Sequence, residues 1–355
     1  KCKIYERQNR QNGCFFPRTR VLPCVQPRCK GDGYRAHTDR PPRNHLALHR
    51  VESRSLSYHP PRFGWPLSLG SDQHPRGLDS YDCIRGDIRA FAAPISSVLL
   101  SKRMKYLIIG PASMGIYSMI GTLKALESKL VDIEEISGSS AGSILALFLA
   151  LGMSVDEILN IALSLNVPDF VKLRIGSFFN KFGFVDLEPI HDKLVEICGC
   201  DPTFEELDMK IYISCYCLNT STTEYFSVDT YPKMKVIDAV CMSMAIPLIF
   251  SSGKFDGKTY VDGGTQEEYP LNPFLHKKPH EIACIKLKTD IIYRQEIETP
   301  KQYIESLIRS SISNRINYDR NIQMIEINVG NTNIFDFNMS YEEKLKLYNM
   351  GYFTI

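Results

Sequence analysis

Between residues 134 and 152 a short strand near Glu134-Glu135-Ile136 runs into Ser137-Gly138-Ser139-Ser140-Ala141-Gly142, and an almost wholly apolar helix follows until Gly152 supplies the stop. A serine set between two glycines in Gly-x-Ser-x-Gly, with a strand before it and a buried helix after it, fits a sharp, strained strand-to-helix turn. Gly138 and Gly142 leave room for the close backbone packing such a turn needs. The helix opening beside Ser140 aims free N–H groups and its positive dipole end at an attacked ester. Ser140 is therefore the candidate nucleophile, and the architecture that can hold it is a layered α/β one.

The flanking sequence agrees. Lys105-Tyr106-Leu107-Ile108-Ile109 reads as a buried strand, followed by the loop Gly110-Pro111-Ala112-Ser113-Met114-Gly115 and a helix to about Lys129 that buries Ile116, Ile120, Leu123 and Leu126. Ser154 to Glu157 is a capping box opening a helix that carries Val155, Ile158, Leu159 and Ala162 toward the core. Another helix is expected from Asp186. Residues 210–217 alternate with strand period 2, and 224–228 can pair beside them. A helix from about Val236 to Ala245 ends at Pro247, and a strand at Thr259–Val261 delivers the turn Asp262-Gly263-Gly264. Strand 282–287, helix 300–317, strand 322–328 and a helix opened by Ser340-x-x-Glu343 complete the chain. Alternating strands and helices predict an α/β three-layer sandwich, a mainly parallel central sheet with helices on both faces, whose sites form at the carboxyl ends of strands.

Residues 1–103 follow different rules. They hold 19 Lys+Arg against 8 Asp+Glu, whereas 104–355 hold 23 against 32, and half of the 20 prolines lie in the first part. That part has no sustained apolar period and no methionine before Met104, so it is expected to be a disordered or non-native upstream extension of a catalytic domain at 104–355. The alternative is a basic arm for nucleic acid or anionic lipid, although arginine-rich composition alone is weak support for a nucleic-acid partner. Cys2, Cys14, Cys24 and Cys29 lack zinc-site spacing, so no metal is assigned. The six cysteines of 104–355 read as core thiols of a reducing compartment. No secretory signal is visible, and the longest apolar run, Ile144 to Leu151, is far short of a membrane span; the expectation is a soluble, cytoplasmic chain with at most peripheral membrane contact.

A serine hydroxyl needs a base. Asp262, at the end of the apolar strand Tyr260-Val261 and followed by Gly263 and Gly264, can face a cleft without crowding behind it. At this point the residues resemble the patatin-like phospholipases, serine lipid acyl hydrolases built on a Ser-Asp dyad. The resemblance runs from the loop 110–115 through Leu123-Lys124-Ala125-Leu126-Glu127 to Gly142, and resumes at Met244-Ala245-Ile246-Pro247-Leu248-Ile249-Phe250 and at Tyr260-Val261-Asp262-Gly263-Gly264. It implies Ser140 as nucleophile, Asp262 as base, the loop as oxyanion-hole scaffold, an acyl-enzyme intermediate, a lipid or phospholipid ester as substrate, and no metal or cofactor.

The loop departs from the family's Gly-Gly-Gly-x-Arg/Lys-Gly. Pro111 has no N–H to give, which leaves Ala112, Ser113 and Ala141 as donors, and Met114 replaces a basic residue. Loss of one donor is worth about 2.7–4 kcal/mol, so an impaired homologue that binds lipid or protein is the first rival. A Ser-His-Asp triad using His276 or His280 is the second, although both lie in a loop that reads as solvated surface. A dinucleotide site is disfavoured because the second glycine of Gly-x-Gly-x-x-Gly is absent from 110–115. His191 lies at helical spacing between Leu187 and Leu194 and reads as a packing residue, while Ile246, Leu248, Ile249 and Phe250 either line an acyl cleft or fill the core.

Overall fold

The run Tyr106–Ile109 is buried at every position, as a strand paired on both edges and covered on both faces must be. The computed structural model describes residues 103–290, 295–313 and 321–355; the expectations for the segment before Met104, and for residues 314–317 of the helix read over 300–317, lie outside the described residues. The strands are β1 (Tyr106–Ile109), β2 (Glu135–Ser139), β3 (Gly183–Val185), β4 (Lys210–Cys217), β5 (Thr222–Phe226), β6 (Leu248–Phe250), β7 (Gly253–Phe255), β8 (Lys258–Asp262), β9 (Ile282–Lys288) and β10 (Gln323–Asn328). The helices are α1 (Ile116–Ala125), α2 (Glu127–Leu130), α3 (Ala141–Ala150), α4 (Val155–Ser164), α5 (Ile175–Lys181), α6 (Glu188–Cys198), α7 (Val236–Ser243), α8 (Pro300–Ser313) and α9 (Tyr341–Tyr352).

The sheet is open, in the order β10-β9-β1-β2-β4-β8-β7, with β5 also on β4; β3 and β6 form a separate parallel pair. From β10 to β4 every pairing is parallel, and β5, β7 and β8 add antiparallel pairings. The α/β class with a mostly parallel central sheet is thus the observed one. Alternate residues of β1 feed two cores. Leu107 and Ile109 join the large cluster with α1, α3 and α7, while Tyr106 and Ile108 join Tyr269, Leu271 and Phe274 on the opposite face.

Several local readings need adjustment. The helix expected to reach Lys129 breaks at Leu126, whose N–H already bonds the Thr122 carbonyl before the chain restarts as α2. Ile116 is only half-buried. Ser154 caps α4 with Glu157 in a complete capping box, as its sequence requires, yet Leu159 and Ala162 are half-buried. The helix read from Asp186 starts at Glu188, and α5, β3, β6 and β7 have no counterpart in the sequence reading. Four cysteines are buried, but Cys198 is half-buried and Cys200 exposed, so those two are not core thiols.

Candidate active site

The turn between β2 and α3 holds Ser140 at φ 53°, ψ −127°, a sparsely populated conformation that costs on the order of 1–3 kcal/mol and persists only where its surroundings fix it. Three features fix it. A Cβ on Gly138 would lie 2.7 Å from the Gly142 carbonyl oxygen, and one on Gly142 only 2.3 Å from that of Ile109, so both positions must be glycine for α3 to start this close to β1 and β2. The Ser140 N–H donates to Ser243 Oγ at 2.8 Å, and that hydroxyl donates onward to the Ser214 carbonyl at 2.7 Å. The Ser140 carbonyl accepts from the Ser143 hydroxyl at 2.6 Å. Ser243 was not singled out from sequence; its signal is a lone hydroxyl among the apolar residues of α7, next to the Met244-Ala245-Ile246-Pro247 segment.

Asp262 reaches Ser140 because β8 runs antiparallel to β4. Ser139 pairs with Ser214 of β4, and Asp262 pairs with its neighbour Cys215. A strand entering from beyond Cys217 therefore ends at the level where β2 ends, two strand spacings away, roughly 9–10 Å. The two side chains lean over β4 and meet: Ser140 Oγ donates to Asp262 Oδ2 at 2.6 Å, with each residue only 4% exposed. The other carboxylate oxygen, Oδ1, accepts the Gly264 N–H at 2.7 Å, which fixes the rotation of the group. Close approach explains the two glycines here also. A Cβ on Gly263 would lie 2.4 Å from the Ser214 carbonyl oxygen, and one on Gly264 would lie 2.6 Å from the Pro111 ring. Cys215 is a poor nucleophile in this setting, since complete burial and then the Asp262 charge push its thiol pKa well up.

The loop 110–115 sorts its amides clearly. Gly110 N–H bonds the Ile285 carbonyl at 3.0 Å, Met114 N–H that of Ile334 at 3.0 Å, and Gly115 N–H that of Ala112 at 2.9 Å. Pro111 packs on Gly264. Among the described residues the N–H groups of Ala112, Ser113 and Ala141 meet no acceptor. Ser113 has φ 48°, and its hydroxyl is buried with no partner among the described residues.

Ser113, Ser140 and Ile246 lie where two cavities adjoin. The smaller, about 90 Å³, is lined by Pro111, Ala112, Asp262 and Gly264 as well as these three. The larger, about 180 Å³, is walled by α1, α3, α4, α6 and the segment 165–171, and apart from Ser113, Ser140 and Lys193 its lining is apolar or aromatic. Ile246 and Phe250 line it, whereas Leu248 and Ile249 do not. No histidine lines either cavity. His276 and His280 are exposed, and the His191 ring lies between Asp192 and, at 3.3 Å, Asp238 of α7. Among the described residues no group of three or more His, Cys, Asp or Glu could hold a metal ion, and no helix is long and apolar enough to cross a membrane.

Residues 112–275 match the family model of the patatin-like phospholipases. The chain is 31% identical over 171 residues to an uncharacterized protein of Acanthamoeba polyphaga mimivirus, covering 44% of this chain and 57% of that protein. It is 27% identical over 195 residues to "Probable lipid hydrolase 463L" of Invertebrate iridescent virus 6, covering 51% of this chain and 67% of that one. The fold resembles that of VipD from Legionella pneumophila, with a TM-score of 0.50 and 17% identity over 71% of this chain and 66% of that one. The matched regions thus span between a little over half and about two thirds of these proteins.

Proposed function

We propose that the chain, which carries a patatin-like phospholipase domain over residues 112–275, is a lipid acyl hydrolase acting on carboxylic esters, with Ser140 as nucleophile and Asp262 as general base. The observation that carries this reading is the 2.6 Å hydrogen bond from the Ser140 hydroxyl to the Asp262 carboxylate, made where two cavities adjoin, the larger of them lined almost wholly by apolar side chains. Asp262 takes the hydroxyl proton as Ser140 Oγ bonds to the acyl carbon, and the carbonyl electron pair moves onto oxygen. The N–H groups of Ala112, Ser113 and Ala141, and the Ser113 hydroxyl, are available to that oxyanion. Collapse of the intermediate breaks the ester C–O bond, and the departing alcohol takes the proton from Asp262. Water, deprotonated by the same carboxylate, then attacks the acyl-enzyme to release the fatty acid and regenerate the Ser140 hydroxyl.

The carboxylate suffices as base because it is buried, held by the Gly264 N–H and already bonded to the proton it removes. The apolar cavity suits an acyl chain, which supports a lipid ester as substrate. Pro111 favours the rival of an impaired lipid binder only if an amide at 111 is required, and three other N–H groups beside the same serine meet no acceptor among the described residues. A fluorophosphonate probe decides between them. Labelling that disappears in Ser140→Ala supports the hydrolase, whereas folded wild type that resists the probe supports the binder.

A further inference from the structure

The segment 170–182 presents an apolar surface that the other described residues leave uncovered. Leu173, Ile175, Phe179 and Phe182 are 78%, 74%, 74% and 56% exposed. Ile175, Phe179 and Phe182, the last in a left-handed C-cap conformation, follow the i, i+4, i+7 spacing of one helical stripe, while Phe178 turns inward to stack on Phe184 at 4.8 Å. A stripe of this kind ordinarily faces a core. Isolated exposed apolar side chains need no explanation, but a contiguous group of large ones marks an interaction surface.

Its charges indicate the partner. Within 170–182 the charged residues are Lys172, Arg174 and Lys181, all exposed. Lys172 and Arg174 form no ion pair among the described residues, Lys181 pairs with Asp186 at 2.7 Å, Asp186 also feels the Arg174 charge, and Asp169 and Glu188 are exposed acids flanking the segment. Bulky apolar side chains with basic groups at their margin match a surface of anionic headgroups over acyl chains. Position agrees with charge, because Phe170 and Val171, directly before the exposed group, line the apolar cavity that reaches Ser140.

We propose that segment 170–182 docks on an anionic phospholipid bilayer, Leu173, Ile175, Phe179 and Phe182 entering the acyl boundary and Lys172 and Arg174 meeting headgroup phosphates, so that a lipid leaves the bilayer beside the cavity that ends at Ser140. The proposal rests on the lipid-hydrolase reading above, and its test separates the two. Full-length protein is sedimented with vesicles of phosphatidylcholine alone or containing phosphatidylglycerol, and hydrolysis of a soluble butyrate ester is measured without vesicles. Wild type binds the anionic vesicles more tightly, with salt weakening the binding. The Ile175→Ser/Phe179→Ser variant loses vesicle affinity and vesicle-lipid hydrolysis at least about tenfold, with soluble-ester turnover unchanged. The Lys172→Gln/Arg174→Gln variant loses the preference for anionic vesicles. Leu173→Ser, outside the helix, gives the same readout should the double variant fail to fold.

Equal vesicle binding by wild type and the apolar variants overturns the proposal. So does a wild-type dimer that the same substitutions dissociate, which would assign the face to a second copy of the chain. Ser140→Ala should bind vesicles as wild type does while hydrolysing nothing; if it still hydrolyses ester, the assignment of the nucleophile fails and the docking surface stands.

Discussion

Removing the Ser243 hydroxyl should unfold the serine turn from behind without touching either the Ser140 hydroxyl or the Asp262 carboxylate. In wild type this one oxygen accepts the Ser140 N–H at 2.8 Å and donates to the Ser214 carbonyl at 2.7 Å, and all three residues are buried. Ser243→Ala leaves a donor and an acceptor unsatisfied, at about 1–3 kcal/mol each, so the expected loss of stability is roughly 2–6 kcal/mol. For a domain of about 250 residues each kcal/mol moves Tm by ~2–4 °C, which places the expected fall at about 4 °C or more. The strained φ of Ser140 loses one of its restraints at the same time, so kcat should drop while KM changes little. Ser118→Ala is the control, because its hydroxyl is as buried but bonds only the Gly115 carbonyl at the start of its own helix. Differential scanning fluorimetry with soluble-ester kinetics reads both quantities. If Ser243→Ala melts and turns over like Ser118→Ala, the hydroxyl does not hold the turn and the account of Ser140's geometry is wrong.

Asp262→Asn keeps the shape of the carboxylate but cannot accept the proton, so kcat should fall on the order of 10²- to 10⁴-fold with fold and KM retained, while His276→Ala and His280→Ala leave the rate unchanged; steady-state kinetics on one soluble ester checks all three. Ser113→Ala should lower kcat by up to about a hundredfold while Tm holds or rises, since a buried hydroxyl with no partner among the described residues is removed; a fall in Tm at unchanged kcat would make that hydroxyl structural. Glu157 has its pKa lowered by accepting the Ser154 N–H and then its hydroxyl. Because the folded-state value lies below the unfolded value of 4.5, this contribution is complete above pH 4.5 and is lost as pH falls through the folded value. Thermal melts between about pH 5 and 3 should therefore show a shallower pH dependence in Glu157→Gln than in wild type.

What the sequence made legible was whatever a short stretch of residues decides by itself. The buried strand at 106–109, the glycine-flanked turn at Ser140, the capping boxes at 154 and 340 and the alternation at 210–217 each satisfy a local constraint, and each is found. Pairings between distant segments left no such trace. β3 has three residues and is a strand because β6, more than sixty positions later, lies beside it, with Leu173 bridging Val185 in addition. The direction of β8, which brings Asp262 to the level of Ser140, is set by its partner β4 and not by Lys258–Asp262. Ser243 was missed for the same reason, since a hydroxyl on an apolar helix shows no function until its two backbone partners from β4 and the serine turn are known. Pro111 also reads differently in three dimensions: the amide before it, at Gly110, continues the β1–β9 ladder, its ring packs on Gly264, and the N–H groups that meet no acceptor among the described residues follow it at Ala112 and Ser113.

The apolar cavity makes the substrate class testable from the wall that α4 provides. Ala162 of α4 is among the smallest lining residues, and its carbonyl accepts the Tyr117 hydroxyl at 3.2 Å, so its backbone is anchored and an enlarged side chain must project into the space or displace the wall. Ala162→Phe should therefore shorten the room for an acyl chain without reaching the serine turn. Each methylene kept from an apolar site forfeits about 0.8 kcal/mol, so excluding four of them removes roughly 3 kcal/mol, a ~200-fold loss in kcat/KM for a long-chain ester. A butyrate ester, which needs only the part of the cavity beside Ser140, should lose little. The ratio of the two kcat/KM values is the measurement, because general destabilisation lowers both together. An unchanged ratio would mean that the acyl chain lies elsewhere, and the cavity beside Ser140 would then be packing space rather than a substrate site.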